Sequence, residues 1–123
     1  MTLFYDGGAR PNPGPMEIAV ITGGQSHVRW DIGEGDNCTA EWLALRYALD
    51  IALAAGAQDV LLVGDAKTVV EQARGAWRCR SPHLLPHLAA YREAAAAIPR
   101  LHLKHVPRAK NLAGIALARR HPR

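Results

Sequence analysis

The chain of 123 residues is 49% hydrophobic and 21% charged, which fits one soluble globular domain spanning residues 1–123. Its charges are unevenly distributed along the sequence. Residues 1–65 contain three Arg or Lys and nine Asp or Glu, whereas residues 66–123 contain twelve Arg or Lys and two Asp or Glu. A membrane span is excluded because no apolar run approaches roughly 18 residues, and a disulfide framework is excluded because only two cysteines are present.

The amino-terminal residues predict a strand that ends in a carboxylate. Residues 2–6 alternate, so that Leu3 and Tyr5 lie on one face and Asp6 on the other. The strand begins without the basic and apolar regions of a signal peptide. Residues 11–15 read Pro-Asn-Pro-Gly-Pro, and we expect a loop there because proline cannot donate hydrogen bonds to a sheet.

A hairpin is expected next, with strands over residues 17–22 and 27–32 joined by a glycine-rich turn. The alternation of its second strand predicts inward-facing side chains at Val28, Trp30 and Ile32. Together with the first strand, this hairpin predicts three antiparallel strands.

A helix is predicted over residues 40–55, ended by Gly56. Its periodicity places four apolar residues on one face: Leu45, Ala48, Leu49 and Ala52. Glu41 lies one turn before this stripe, so its carboxylate is expected to face inward. Thr39 is the expected N-cap, and an acid in the first turn suits the helix dipole.

The rest of the chain alternates between strands and helices. The predicted elements are a strand over residues 60–63, helices over 66–74 and 83–98, a strand over 101–106 and a helix over 112–120. This order indicates an α/β fold with a five-stranded mixed sheet, antiparallel in its first three strands and then parallel, with helices on both faces.

Three carboxylates occupy positions that such a fold can bring together. Asp6 and Asp65 each end an apolar run, and Glu41 faces inward from the first helix. Carboxylates that converge repel one another unless a cation neutralises them, which indicates a divalent metal site. Oxygen ligands favour one or two Mg²⁺ or Mn²⁺ ions. The alternative is that each acid separately caps a helix or forms a turn.

Four motifs, in this order, resemble those of ribonuclease H of type 1 over nearly the whole chain. They are Asp-Gly-x-x-x-x-Asn-Pro-Gly at residues 6–14, Asn-x-x-Ala-Glu at 37–41, Gly-Asp at 64–65, and His-Val-Pro-Arg followed by Asn at 105–111. The residues between the last two motifs resemble the compact branch of the family, which lacks a basic protrusion. The resemblance implies the ribonuclease H-like fold and a metal-dependent endonuclease that hydrolyses the RNA strand of RNA–DNA hybrids.

The resemblance also implies roles for individual residues. Asp6, Glu41 and Asp65 would be the catalytic residues and metal ligands, with Asp6 bridging two ions. The residues expected to contact the nucleic acid are Gly7, Asn12, Asn37, Arg108 and Asn111. For the two amides at positions 12 and 37, turn and cap chemistry is the alternative.

The chain departs from the family pattern at the position of a fourth acid. Ile115 stands at that position, and no Asp or Glu follows Glu93. The preceding residue, Gly114, also differs from the small residue that is usual in the family. Three outcomes are open: weak or Mn²⁺-dependent activity, assistance from Asn111 or His105, or binding without cleavage. Glu17 occupies a position that is usually glycine in the family, and the sequence indicates no role for it.

Two other classes of function stay open at this point. The first is a nucleic-acid-binding domain that has lost turnover, and the second is a nuclease or transposase-related protein of the same broad fold that acts on DNA. The basic stretch of residues 74–80 is a candidate phosphate track, although Trp77 within it is more typical of a core residue. Two cysteines favour reduced thiols in a cytoplasmic protein, and a monomer is the default expectation.

Overall fold

The computed structural model describes residues 1–121. Its elements, in chain order, are β1 (Thr2–Ala9), β2 (Gly14–Thr22), β3 (Gln25–Arg29), β4 (Glu34–Gly35), α1 (Asn37–Ala54), β5 (Asp59–Gly64), α2 (Lys67–Arg74), α3 (Leu85–Ala95), β6 (Arg100–His105) and α4 (Leu112–Arg119). One short 3₁₀ turn, Arg108–Lys110, precedes α4. Among the described residues, no helix has the length and apolar character needed to cross a membrane.

The sheet has the strand order β3-β2-β1-β5-β6. β1 pairs antiparallel with β2, and β2 with β3, whereas β5 pairs parallel with both β1 and β6. This arrangement confirms the predicted mixed sheet. The structure adds the two-residue β4, which pairs with the beginning of β2. Helix α1 packs on one face of the sheet and α4 on the other, so the prediction of helices on both faces is also confirmed.

β1 is longer than predicted, which changes the position of Asp6. The strand continues through Gly7 and Gly8 and pairs with β2 as far as Ala9, opposite Met16. A side chain at position 7 would have its Cβ only 2.2 Å from the backbone oxygen of Ala40. Glycine therefore lets α1 lie directly against β1. As a result, Asp6 is inside the strand rather than at its end.

The predicted hairpin is present, but its second strand is shorter than expected. β3 ends at Arg29, and Trp30 is 59% exposed, so the expectation that Trp30 faces inward was wrong. The chain bends after β3 because the backbone of Ile32 bonds to Met16 (N···O 3.2 Å) rather than continuing the β3 ladder. β3 and the segment around Ile32 both bond to β2, and the alternation of side chains does not show where one pairing ends and the other begins.

Helix α1 begins earlier than predicted because Asp36, not Thr39, caps it. The Asp36 carboxylate accepts a hydrogen bond of 2.7 Å from the backbone N–H of Thr39. The early start places Glu41 in the second turn rather than the first. The predicted apolar stripe is confirmed, since its four residues have no exposed surface: Leu45, Ala48, Leu49 and Ala52.

Helices α3 and α4 complete the two layers. α3 begins at Leu85, two residues later than predicted, and it has Pro86 in its first turn, where the missing N–H is tolerated. On the opposite face, Ala113 and Leu117 of α4 form a small buried cluster with Ala19 of β2. This cluster holds α4 against β2, where Ala19 is opposite Asp6 of β1.

Candidate active site

The three predicted carboxylates meet beside the interior strands β1 and β5. One side-chain oxygen from each of Asp6, Glu41 and Asp65 lies within 4.8 Å of the others. The parallel register pairs Phe4 with Val63, so Asp6 and Asp65, two residues further along adjacent strands, lie side by side. Glu41 reaches the same point from α1. The structure therefore brings together three residues that are distant in the sequence.

Glu41 is the most buried of the three acids, with 7% of its surface exposed. Its Oε1 accepts a hydrogen bond of 3.3 Å from the backbone N–H of Gly7. Its Oε2 is buried and has no hydrogen-bond partner among the described residues. A buried carboxylate oxygen without a partner is costly. A divalent cation coordinated by the three carboxylates would satisfy it, so the donor set fits Mg²⁺ or Mn²⁺.

Burial and mutual repulsion disfavour the ionised forms of two of these acids. Burial raises the pKa of Glu41 well above its usual value, and its contact with the Asp6 carboxylate raises it further. Burial also raises the pKa of Asp6; the charge of Asp65 adds to this effect and Arg108 opposes it. A bound cation favours the ionised forms, so metal binding and deprotonation are linked at this site.

Asn111 lies behind the carboxylates and is fully buried. Its Nδ2 donates hydrogen bonds to Asp65 Oδ2 at 3.0 Å and to the backbone oxygen of Tyr5 at 2.9 Å. Its Oδ1 accepts a hydrogen bond of 3.2 Å from Ala113 N–H and thereby caps α4. The side chain orients Asp65 and fixes the start of α4, and it does not face the opening of the cleft.

Two exposed amides lie beside each other at the rim of the site. Asn12 Oδ1 accepts a hydrogen bond of 3.0 Å from the backbone N–H of Asn37. Asn37 Oδ1 accepts one of 2.8 Å from the backbone N–H of Ala9. These bonds connect the proline-rich loop, β1 and the start of α1. The side-chain oxygens of both residues therefore accept backbone N–H groups, and both side chains remain exposed.

A cleft of about 550 Å³ opens from the carboxylates to the surface. Of the residues predicted to contact nucleic acid, Gly7, Asn37 and Arg108 line it. Lys67 and Glu17 also line it, and our sequence analysis assigned neither of them to the site. For Glu17 the available signal was the presence of a charged residue at a position that is usually glycine.

α4 contributes no acid to the site. Ile115 is 36% exposed. A side chain at Gly114 would place its Cβ 3.3 Å from Asp6 Oδ2 and 3.4 Å from Asp65 Oδ2. The backbone of α4 thus passes close to two of the carboxylates, and the absence of a side chain at position 114 keeps the space between them open.

The basic loop between α2 and α3 lies at the surface. Trp77 was expected to be a core or helix-docking residue; it is 46% exposed, so the expectation of a core residue was wrong. Arg78 and Arg80 are exposed on either side of the buried Cys79. His105 is exposed as well, with its Nε2 3.3 Å from the backbone oxygen of Asp65.

A mixed sheet of this order, with three acids from β1, α1 and the end of β5, defines a ribonuclease H-like domain. A family model described as "Reverse transcriptase-like" matches residues 22–121. The chain is 35% identical over 120 residues to "Ribonuclease HI" of Halobacterium salinarum, covering 94% of this chain and 60% of that protein. It therefore belongs to the reverse transcriptase-like family and, within it, to the ribonucleases H of type 1.

Solved structures agree with this assignment. The crystal structure of RNase H1 from the halophilic archaeon Halobacterium salinarum NRC-1 has a TM-score of 0.85 at 33% identity, covering 94% of this chain and 92% of that one. LC11-RNase H1 in complex with an RNA/DNA hybrid has a TM-score of 0.79 at 28% identity, covering 90% and 88%. The chain spans between 32% and 60% of the length of the curated relatives it matches.

Proposed function

We propose that this protein is a metal-dependent endonuclease that hydrolyses the RNA strand of RNA–DNA hybrids. The observation that carries the proposal is the buried Glu41 Oε2, which has no partner among the described residues and lies in a cluster with Asp6 and Asp65. A divalent cation would relieve the repulsion within this cluster and give the buried oxygen a partner. The solved relative that binds an RNA/DNA hybrid supports the substrate class.

Asp6, Glu41 and Asp65 are the proposed metal ligands and catalytic residues. When bound, one or two Mg²⁺ or Mn²⁺ ions supply the Lewis acidity that phosphodiester hydrolysis requires. The protein positions the ligands: Gly7 N–H orients Glu41, and the Asn111 amide orients Asp65. These contacts hold the carboxylates in place before the substrate arrives, which reduces the reorganisation needed for reaction.

The exposed side of the cleft is the proposed nucleic-acid interface. Asn12 and Asn37 present amides at the rim, and because their oxygens accept backbone N–H groups, their NH₂ groups are the proposed donors to a 2′-hydroxyl. Arg108 provides a positive charge beside the carboxylates and is the proposed phosphate contact. Gly7 brings the backbone of β1 to the cleft surface. Asn111 acts through Asp65 rather than by contact with the substrate.

The direct test is cleavage of a labelled RNA–DNA hybrid in Mg²⁺ and, separately, in Mn²⁺. We expect products from the RNA strand, and we expect Asp6→Asn to abolish them because it removes a charged ligand from the centre of the cluster. Glu93→Gln, on the exposed surface of α3, is the matched control and should cleave normally. Absence of products in both metals, with a folded protein, would contradict the proposal.

The second candidate is a domain that binds hybrids without cleaving them. It is favoured by one observation, that α4 presents Ile115 and no acid beside the site. Tight binding of the hybrid without products in either metal would identify this function. The same assay on a DNA duplex tests the weaker possibility of a nuclease that acts on DNA.

We propose a cytoplasmic monomer as the working state of the protein. Cys38 and Cys79 are free thiols in the structure, which agrees with a reducing compartment. Light scattering of the purified protein would test the monomer, and a dimeric mass would contradict it.

A further inference from the structure

Glu17 is a buried acid on the same face of the sheet as Asp6. Only 6% of its surface is exposed, and it lines the same cleft as the three carboxylates. In the antiparallel register of β1 and β2, Glu17 is opposite Gly8, and Ala19 is opposite Asp6. Residues that face each other across two strands point to the same side, so Glu17 and Asp6 are diagonal neighbours, typically about 7–8 Å apart.

The space between Glu17 and Asp6 is kept open by α4. Gly114 and Ala118 are one helical turn apart, so they lie on the same face of α4, and both line the cleft. Neither has a side chain large enough to fill the space between α4 and the sheet. One cleft extends from the three carboxylates to Glu17, and Leu117 of α4 also lines it.

The Glu17 carboxylate is held in place by basic side chains. Arg120 Nε lies 3.3 Å from its Oε2, Arg10 Nε lies 3.8 Å from its Oε1, and His121 also contacts Oε1. Anchoring the end of α4 to the sheet would be sufficient reason for these contacts. Anchoring alone does not account for the position of Glu17, because the acid lines the same cleft as a cluster of three carboxylates that lacks the fourth acid of the family.

We propose that Glu17 is the fourth carboxylate of the metal centre, supplied by β2 in place of the acid that α4 lacks at position 115. The inference rests on the proposed function. Mg²⁺ and Mn²⁺ ions retain several water ligands in proteins, and Glu17 would accept hydrogen bonds from the water ligands of a bound ion. Carboxylates that support a metal through such contacts commonly change its affinity by about 10- to 100-fold.

The test is Mn²⁺ binding to the full chain, measured without nucleic acid by the electron paramagnetic resonance signal of free Mn²⁺. We expect Glu17→Gln to lose the weaker Mn²⁺ ion or to bind it about 10- to 100-fold less tightly. Glu34→Gln, on the exposed strand β4, is the matched control and should bind Mn²⁺ as the wild type does. Unchanged number and affinity of Mn²⁺ ions in Glu17→Gln would overturn the proposal.

Two further variants separate metal support from anchoring of α4. Arg120→Gln removes one of the three basic contacts and keeps the Glu17 carboxylate in place through Arg10 and His121, so we expect a lower melting temperature with Mn²⁺ affinity unchanged or higher. Ile115→Asp in the Glu17→Gln background should restore Mn²⁺ binding by returning an acid to α4. If Arg120→Gln weakens Mn²⁺ binding as much as Glu17→Gln does, Glu17 is only an anchor and the proposal is overturned.

The Mn²⁺ titration and the hybrid-cleavage assay test the role of Glu17 and the proposed function separately. A wild-type protein that binds Mn²⁺ but produces no cleavage contradicts the proposed function. A protein that cleaves hybrids while Glu17→Gln retains wild-type Mn²⁺ binding contradicts only the role of Glu17.

Discussion

The amide of Asn111 donates a hydrogen bond of 3.0 Å to Asp65 Oδ2 across 46 residues of sequence. The same side chain caps α4 by accepting the N–H of Ala113. One buried residue thus couples the orientation of a metal ligand to the position of the helix that covers the site. Loss of this residue should affect both activity and stability.

Asn111→Ala should lower cleavage by about 10- to 100-fold, as for other residues that orient metal ligands. It should also lower the free energy of unfolding by about 1–3 kcal/mol, because a helix cap and buried hydrogen bonds are lost. Cleavage rates and urea unfolding measure the two effects. Asn111→Ser separates them, since serine keeps the cap acceptor but does not reach Asp65. Equal activity of Asn111→Ser and the wild type would show that the bond to Asp65 is dispensable.

Glu41→Gln should make the metal-free protein more stable while abolishing its response to Mg²⁺. Burial and the neighbouring Asp6 raise the pKa of Glu41, which means that the ionised side chain is unfavourable in the folded protein at neutral pH. A neutral amide removes that cost but also removes a metal ligand. Thermal melts at pH 7 with and without Mg²⁺ would show this. The wild type should gain stability with Mg²⁺ by mass action, and an equal gain in Glu41→Gln would contradict the assignment of Glu41 as a ligand.

Gly114→Ala should impair the site. Alanine is favoured over glycine inside a helix by about 0.5–1 kcal/mol. Its Cβ would nevertheless lie 3.3 Å from Asp6 Oδ2 and 3.4 Å from Asp65 Oδ2, where it reduces the space for an ion. We expect weaker Mg²⁺ binding, while the close contact with Asp6 opposes the gain in helix stability. Ile115→Ala, at the neighbouring exposed position, is the control and should leave Mg²⁺ binding unchanged.

Asp36→Ala should destabilise α1 by about 0.5–2 kcal/mol at neutral pH, because Asp36 caps that helix. The hydrogen bond from Thr39 N–H lowers the pKa of Asp36. A carboxyl group with a lowered pKa contributes stability above its usual pKa of about 3.9, and this contribution is lost as the pH falls through the lowered folded value. The difference between the wild type and Asp36→Ala in urea unfolding should therefore shrink below about pH 4.

Asp36→Asn is the control for this pH dependence. Asparagine keeps a capping oxygen that does not titrate, so its stability relative to Asp36→Ala should be independent of pH in the same range. A difference between the wild type and Asp36→Ala that is constant from neutral to strongly acidic pH would contradict the role of the ionised cap.

Local patterns predicted much of this fold. The alternation around Leu3 and Tyr5 and the apolar stripe of α1 are properties of neighbouring residues, and the structure confirms both. Local patterns failed where two interactions compete. Asp36 and Thr39 are both good caps, and only the position of α1 against β1 selects Asp36. In the same way, the pairing of Ile32 with Met16 removes Trp30 from the sheet.

The order of most elements and the identity of the acids that could bind a cation were predictable from the sequence, because hydrophobic periodicity and side-chain chemistry are properties of neighbouring residues. The hydrogen bond from Asn111 to Asp65 and the cleft that Glu17 shares with Asp6 were not predictable in this way. Both depend on the register between strands and on the placement of α4, which are set by contacts between residues far apart in the chain.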